Sequence, residues 1–299
     1  MHTIERRRAV WLDQLVKKAN VLIEALPYIR NFFGKTFVIK YGGAAMTHDS
    51  LREAVALDLI LMRYVGLNPV VVHGGGPAIS STMKRMGKEP CFVDGMRVTD
   101  RETMEIVEMV LVGKINKEIV SLINQNGGKA VGICGKDGNL IHAEKMQNGK
   151  RDLGYVGEIT QIDPSIVNTL TENGYIPVIT PVGIGADGES YNINADLVAG
   201  RLAVALGAEK LIMLTDVEGI FGSGDDPASL ISQLSIAKAR LMIESGQISG
   251  GMIPKVTACI DALEHNVART HIIDGRKPHS LLLEIFTDQG IGTMVTKED

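Results

Sequence analysis

Aromatic side chains are scarce in this chain. They make up 4% of its 299 residues, with a single tryptophan, against 45% apolar residues overall, so the core must be aliphatic. An excess of one charge is missing too. Lys and Arg number 31 against 35 Asp and Glu, a net −4, which gives no reason to expect nucleic acid as a partner. Cysteine is sparse: Cys91, Cys134 and Cys259 are far apart and form no CxxC. They read as buried or free thiols in a reducing compartment, the cytoplasm. No apolar run approaches the roughly 18 residues of a membrane span. Arg6-Arg7-Arg8 is not followed by the apolar stretch of a secretory signal. Glu5, Asp13 and Glu24 also interrupt the basic face that a mitochondrial presequence would need.

Several motifs are absent or fail in context. The seven histidines form no HExxH or other ligand pairing, so no protein-bound metal is expected. No GxSxG elbow supports a nucleophilic hydrolase. Gly183-x-Gly185-x-x-Gly188 has the spacing of a dinucleotide fingerprint, but Asp187-Gly188 is a turn dipeptide and no helix follows at once. Gly34-Lys35-Thr36 ends like a phosphate-binding loop, yet it precedes a strand and has Ile29 where the first glycine belongs. His73, closing an apolar strand, reads more simply as a hydrogen-bonded structural residue than as a catalytic base.

What the chain does contain is alternation. From Thr36 onward, strands are expected at 36–41, 69–73, 129–133, 176–180, 210–214, 269–273, 281–286 and 293–296. Helices are expected at 49–66, 77–87, 100–125, 163–173, 194–207, 235–246 and 252–265. This order predicts an α/β sandwich around a mainly parallel sheet. Residues 137–162, punctuated by Gly138, Asn139, Gly149 and Gly154, read as hairpins or a flap. Gly183 to Gly188 reads as a further hairpin turn, and Pro181 to Tyr191 as a hinge between lobes. Residues 1–35 differ: Trp11, Leu12, Leu15, Val16, Ala19, Leu22, Ile23 and Leu26 recur at helical spacing and predict an amphipathic helix ending before Pro27. That helix could pack on its own domain or serve as an arm onto another subunit.

Two glycine-rich turns carry the chemistry. Phe37-Val38-Ile39-Lys40-Tyr41-Gly42-Gly43 and Val70-Val71-Val72-His73-Gly74-Gly75-Gly76-Pro77 each run from a β-branched strand into glycines, with helical sequence behind. Glycine lets the backbone approach a ligand without a Cβ in the way, and N–H groups near a helix start suit an anion. Gly95-Met96-Arg97-Val98-Thr99 sets an arginine before a helix start, with Thr99 placed to cap it. Arg97 suits a carboxylate or a surface salt bridge. Tyr191-Asn192-Ile193-Asn194-Ala195-Asp196 leads into a helix that Asn192 or Asn194 could cap. Leu214-Thr215-Asp216-Val217-Glu218-Gly219 ends a buried strand in a glycine turn, an edge suited to a nucleotide. Gly250-Gly251-Met252-Ile253-Pro254-Lys255 opens a helix with a lysine that opposes the macrodipole, which suggests an anion there.

Taken in order from about Leu26 to Val295, these segments resemble the amino acid kinase family. The resemblance is to the branch that phosphorylates N-acetyl-L-glutamate with ATP in arginine biosynthesis, in its arginine-sensitive type with an N-terminal helix. It implies an open three-layer α/β/α sandwich around a mainly parallel sheet, in two lobes with an N-terminal helical arm. Residues 1–35 would be the oligomerisation arm, 36–188 the acetylglutamate-binding lobe and 189–299 the ATP-binding lobe. Lys40, Lys255, Asp196, Gly43 and Gly75 would act on the transferring phosphoryl group. Gly75, Gly76, Arg97 and Asn192 would hold the substrate. Thr215, Asp216, Gly219, Phe221 and Lys255 would line the nucleotide, with Mg2+ carried mainly on ATP and no protein metal site. His271, Glu284 and Gly290 would line a pocket for L-arginine, the expected inhibitor. The arm would build a hexamer, a trimer of dimers. The chain departs from related sequences at Glu264-His265-Asn266-Val267-Ala268-Arg269, where a glycine pair usually precedes the valine. A different carboxylate or carbamate kinase, or a non-catalytic amino-acid sensor of the same fold, are the competing readings.

Overall fold

The computed structural model describes residues 2–46, 48–147, 152–222, 226, 229–287 and 290–298. Gly149 of the expected flap, Asp288 and Gln289, and the side chains of Glu5, Arg6, Arg7, Arg8 and Asp13 lie outside the described residues. In chain order the strands are β1 (Thr36–Tyr41), β2 (Asn68–His73), β3 (Phe92–Val93), β4 (Met96–Arg97), β5 (Ala130–Cys134), β6 (Ile141–Lys145), β7 (Gly157–Ile162), β8 (Ile176–Thr180), β9 (Val182–Ile184), β10 (Ser190–Asn192), β11 (Lys210–Thr215), β12 (Gln233–Ser235), β13 (Arg269–Asp274) and β14 (Thr293–Thr296). The α-helices are α1 (His2–Phe32), α2 (Asp49–Tyr64), α3 (Gly76–Arg85), α4 (Arg101–Glu108), α5 (Asn116–Gln125), α6 (Ser165–Glu172), α7 (Ala195–Ala205), α8 (Ile236–Glu244), α9 (Met252–Glu264) and α10 (Ser280–Ile285).

One sheet runs in the order β12-β14-β13-β11-β1-β2-β8-β5. It is parallel except that β14, with β12 beside it, runs antiparallel to β13. Both faces are covered, as the uninterrupted apolar strands require. Phe37, Ile39 and Val71 enter one buried cluster with residues of α2, α3 and α5. Val38, Val70 and Val72 enter the other, with residues of α7, α8 and α9. Alternation along a strand thus feeds two cores, and the three-layer α/β/α sandwich follows. A second sheet, β10-β9-β6-β7, forms the hairpin region expected from 137–162 and 183–188.

Three expectations are corrected. Leu281-Leu282-Leu283-Glu284-Ile285-Phe286 is not a strand but lies mostly in α10. A short apolar run is ambiguous between the two states. Here Leu281, Glu284 and Ile285 are buried at helical spacing, and His279, just before the helix, has its Nδ1 2.6 Å from Asp58 Oδ1 of α2. The remaining sheet position is taken by β12, three residues long and unreadable as a pattern. α1 does not stop before Pro27 but runs through it to Phe32. A proline inside a helix costs about 3 kcal/mol; beyond it Phe32 is buried and meets Phe37 edge-on at 5.3 Å. The expected helix 100–125 is α4 and α5 joined by a π-helical stretch, Met109–Ile115.

Trp11, Leu12, Leu15, Val16, Leu22, Ile23 and Leu26 of α1 are exposed, Leu22 by 73%. The apolar side of this helix is therefore not packed on its own domain. No helix among the described residues is long and apolar enough to cross a membrane.

α7 and α9 pack closely because Gly200 faces Ala258. A Cβ at Gly200 would come within 3.0 Å of the Ala258 carbonyl oxygen. Gly200→Leu should destabilise the chain by about 1–3 kcal/mol through overpacking, read as a lower urea midpoint; an unchanged midpoint would show that the two helices can part freely.

Candidate active site

β1 is paired on both sides, with β11 and β2, and ends by presenting Lys40. Lys40 is only 8% exposed. A Cβ on Gly42 would lie 2.9 Å from the Lys40 Nζ, so glycine there leaves room for the ammonium. Gly43 adopts φ +64°, open to glycine at little cost, and its Cα faces the Thr215–Asp216 backbone.

Asp196 enters from the first turn of α7. Asn194 is the cap of that helix, its Oδ1 accepting from the N–H groups of Asp196 at 2.7 Å and Leu197 at 3.4 Å. Asp196 is buried and lies between two lysines. The Lys40 Nζ is 2.9 Å from Oδ1, an ion pair without the direction of a hydrogen bond. The Lys255 Nζ donates to Oδ2 at 3.1 Å and to the Gly251 carbonyl at 3.2 Å. Lys255 stands in the first turn of α9, so three elements distant in sequence meet at one carboxylate.

The second glycine turn closes beside them. A Cβ on Gly75 would fall 2.4 Å from Leu111 and 2.5 Å from Ile115, both in the π-helical stretch. Arg97 is buried on β4. It donates to the Gly76 carbonyl at 2.9 Å and to Ser80 Oγ at 2.8 Å, with its guanidinium 4.7 Å from the Phe92 ring centroid. Burial lowers its pKa from the usual arginine value. Asn192 Nδ2 donates to Thr99 Oγ1 at 3.3 Å, and Thr99 in turn donates to the Arg97 carbonyl at 2.8 Å. Thr99 does not cap the helix after Arg97. Asp100 does, accepting from the Thr103 N–H at 2.8 Å, because Thr99 is drawn inward by Arg97 and Asn192.

The nucleotide candidates follow β11. Thr215 donates to Asp216 Oδ1 at 3.2 Å. A Cβ on Gly219 would meet Thr293 Oγ1 at 2.6 Å, and the next N–H, of Ile220, donates to that hydroxyl at 2.8 Å. Phe221 bridges to Leu230.

His271, Glu284 and Gly290 come together elsewhere, in a cavity of about 360 Å³ that Tyr28 and Phe32 of α1 also line, with Lys210 and Arg269. Glu284 Oε1 is 2.6 Å from His271 Nδ1, and Oε2 accepts from the Ile291 N–H at 2.8 Å. Burial alone would raise the Glu284 pKa, but the contacts with His271 and Ile291 outweigh it and hold it below the usual value. Burial lowers the His271 pKa. A Cβ on Gly290, at φ +58°, would lie 3.1 Å from the Glu284 oxygens. Lys210 was not singled out from the sequence. Its signal is a lone charge opening an apolar strand, where burial now lowers its pKa.

His73 is fully buried and hydrogen-bonded to Gly74, Thr180 and Asn116. Asn116 and Thr180 were invisible as site residues, since single polar residues in apolar segments carry no local pattern.

Residues 35–274 match the profile of the Amino acid kinase family. The chain is 61% identical to the acetylglutamate kinase of Moorella thermoacetica over 94% of this chain and 97% of that one. It is 62% identical to that of Pelotomaculum thermopropionicum, covering 94% and 98%. The fold superposes on N-acetylglutamate synthase from Neisseria gonorrhoeae in complex with coenzyme A and N-acetyl-glutamate, with a TM-score of 0.81 and 27% identity. That match covers 94% of this chain, which spans 64% of the synthase chain. Carbamate kinase from Giardia lamblia bound to AMP-PNP shares the fold at a TM-score of 0.66 and 17% identity.

Burial pushes the His73 pKa down to about 4, against an opposing hydrogen bond to Gly74. The folded chain then binds fewer protons at this site than the unfolded chain does, so stability is present above pH 6.5 and is lost as pH falls toward 4. The loss at this site is on the order of 3 kcal/mol. His271 acts in the same direction. Urea melts between pH 7 and 4 should therefore show a shallower acid loss for His73→Asn than for the unaltered chain; parallel curves would refute a buried neutral His73.

Proposed function

The chain belongs to the amino acid kinase family, and from that premise we propose that it transfers the γ-phosphoryl group of ATP to the γ-carboxylate of N-acetyl-L-glutamate, giving N-acetyl-L-glutamyl 5-phosphate in arginine biosynthesis. The observation that carries this reading is the Lys40–Asp196–Lys255 bridge set between two glycine turns. The acceptor is ionised at neutral pH, so no general base is needed. A carboxylate oxygen forms the new bond to phosphorus, the bond to the ADP oxygen breaks, and ADP leaves with that electron pair. The obstacle is charge repulsion, and positioning with positive charge answers it.

In this reading Lys40 and Lys255 meet the equatorial oxygens of the transferring group, and Asp196 keeps both ammonium groups aimed. The N–H groups of Gly43 and Gly75 complete the cradle. Arg97, Asn192 and the Gly75–Gly76 backbone hold acetylglutamate. Thr215, Asp216, Gly219 and Phe221 run along the nucleotide, and Mg2+ enters bound to ATP. Residues 36–188 would form the acetylglutamate lobe and 189–299 the ATP lobe, meeting where β1 pairs with β11. We further propose that the cavity at His271, Glu284 and Gly290 binds L-arginine. Glu284 suits its guanidinium, while Lys210 and Arg269 suit its carboxylate. Because α1 lines that cavity and exposes an apolar face, it would join dimers into a hexamer and couple the effector to lobe movement.

Lys40→Ala and Lys255→Ala should each lower kcat by roughly 100–1000-fold with smaller changes in KM. Near-normal turnover in an ADP-release assay would remove that lysine from the mechanism. Arg97→Ala should instead raise the KM for acetylglutamate, and an unchanged KM would exclude its contact. Faster turnover of aspartate or free glutamate than of the acetylated substrate would overturn the substrate assignment.

Deleting residues 1–25 should give smaller, active oligomers that no longer respond to arginine. Light scattering and inhibition curves on both forms decide this. A full-length chain that is dimeric and indifferent to arginine would defeat the effector reading and leave the kinase reading standing.

A further inference from the structure

The second glycine turn is held by its carbonyl groups. The Gly74 carbonyl lies 2.9 Å from His73 Nδ1, the Gly75 carbonyl accepts from the Ile79 N–H at 3.0 Å, and the Gly76 carbonyl accepts from Arg97. Among the described residues no protein acceptor takes the Gly75 N–H.

The proton position on His73 is fixed by its neighbours. Lys117 Nζ donates to Asn116 Oδ1 at 3.2 Å, and Asn116 Nδ2 donates to the Val178 carbonyl at 2.9 Å. A cation on one end and a carbonyl on the other settle the amide orientation. The Asn116 NH2 group therefore faces His73 Nε2, at 3.3 Å. Thr180 Oγ1 lies 2.9 Å from the same nitrogen. With a fixed donor facing it, Nε2 must be the bare acceptor. The single ring proton then sits on Nδ1 and is donated to the Gly74 carbonyl. Burial, which disfavours the imidazolium, acts in the same sense.

A trans peptide is planar, and its C=O and N–H point to opposite sides. The Gly74 carbonyl and the Gly75 N–H belong to one peptide unit. Anchoring the carbonyl on the buried ring therefore turns the Gly75 N–H away from the core. We propose that His73 is a positioning residue: through its Nδ1–H it locks the Gly74–Gly75 peptide so that the Gly75 N–H faces the transferring phosphoryl group, with Asn116 and Thr180 selecting the required tautomer. Leu111 and Ile115 of the π-helical stretch fill the space that a side chain at position 75 would need, so the same peptide is confined there to glycine. The proposal rests on the kinase reading for its substrate, but the tautomer does not.

Two measurements test it on the full chain. The ring nitrogen NMR spectrum of 15N-histidine-labelled protein at pH 7 should show His73 neutral, protonated at Nδ1 and bare at Nε2. A proton on Nε2, or an imidazolium, would overturn the proposal whatever the activity. The second is a pair of substitutions. An asparagine amide can place its NH2 near the Nδ1 position, whereas a glutamine amide reaches the Nε2 position. His73→Gln should lower kcat about 10–100-fold with the KM for ATP within about 2-fold, and His73→Asn should recover most of that loss. Equal losses in two variants with similar melting temperatures, or no loss in either, would overturn the lock. If His73→Gln does not fold, Asn116→Leu serves instead: it removes the fixed donor to Nε2 and leaves the Thr180 hydroxyl, which can accept as well as donate, so it should both lower kcat and add the second tautomer to the spectrum. Unchanged kcat and a single tautomer in that variant would count against the selection step. If the unaltered chain releases no ADP with acetylglutamate, the kinase reading fails, and the ring spectrum still decides the tautomer.

Discussion

Two ammonium groups brought close together repel, and more so away from water. Among the described residues Asp196 alone bridges Lys40 and Lys255. The rest of the site depends on that carboxylate being where it is. Asn194 caps α7 and so fixes the turn that carries Asp196. Gly200, one turn further along, lets α7 sit against α9, which brings Lys255 within reach. β1 brings Lys40 because it is held between two parallel neighbours. Each element is ordinary; their shared meeting point is what we propose as the phosphoryl-transfer site.

Much of this was legible because the signals are local and strong. β1, β2 and β11 are β-branched or aliphatic runs ending in glycine, and a parallel buried strand has little other way to be written. Lys40, Arg97, Asp196 and Lys255 each sit beside a turn or helix start, where an unusual residue stands out. The misreadings share the opposite property. Leu281 to Phe286 is apolar but for Glu284, a run short enough to fit either state, and only tertiary burial of Leu281, Glu284 and Ile285 at helical spacing decides for helix. Thr99 has the right chemistry for a cap but is drawn into a tertiary contact with Asn192. Pro27 marks a stop by local rules, yet the burial of Phe32 carries the helix past it. Asn116 and Thr180 meet His73 only after the chain has folded, 43 and 107 residues from it in sequence.

The two polar clusters also differ in how they hold charge. At Asp196 one carboxylate balances two lysines. At Glu284 the carboxylate faces a histidine whose pKa burial lowers, and Lys210 and Arg269 line the same cavity. The first arrangement suits an incoming anion; the second offers charges of both signs, as a zwitterion would need. The two clusters thus differ in chemistry as well as in place.

The unbroken ladder between β1 and β11 has a mechanical consequence. Parallel strands joined by hydrogen bonds resist being splayed apart but tolerate a change of twist. Any reorientation of one half of the sheet against the other is then a torsion about the seam and not the opening of a jaw. In a torsion, displacement grows with distance from the axis. Lys40 belongs to the seam strand itself, whereas Arg97 and Lys255 stand on elements to either side of it. In such a torsion Lys40 would be the stationary datum of the site, and the other two its moving arms.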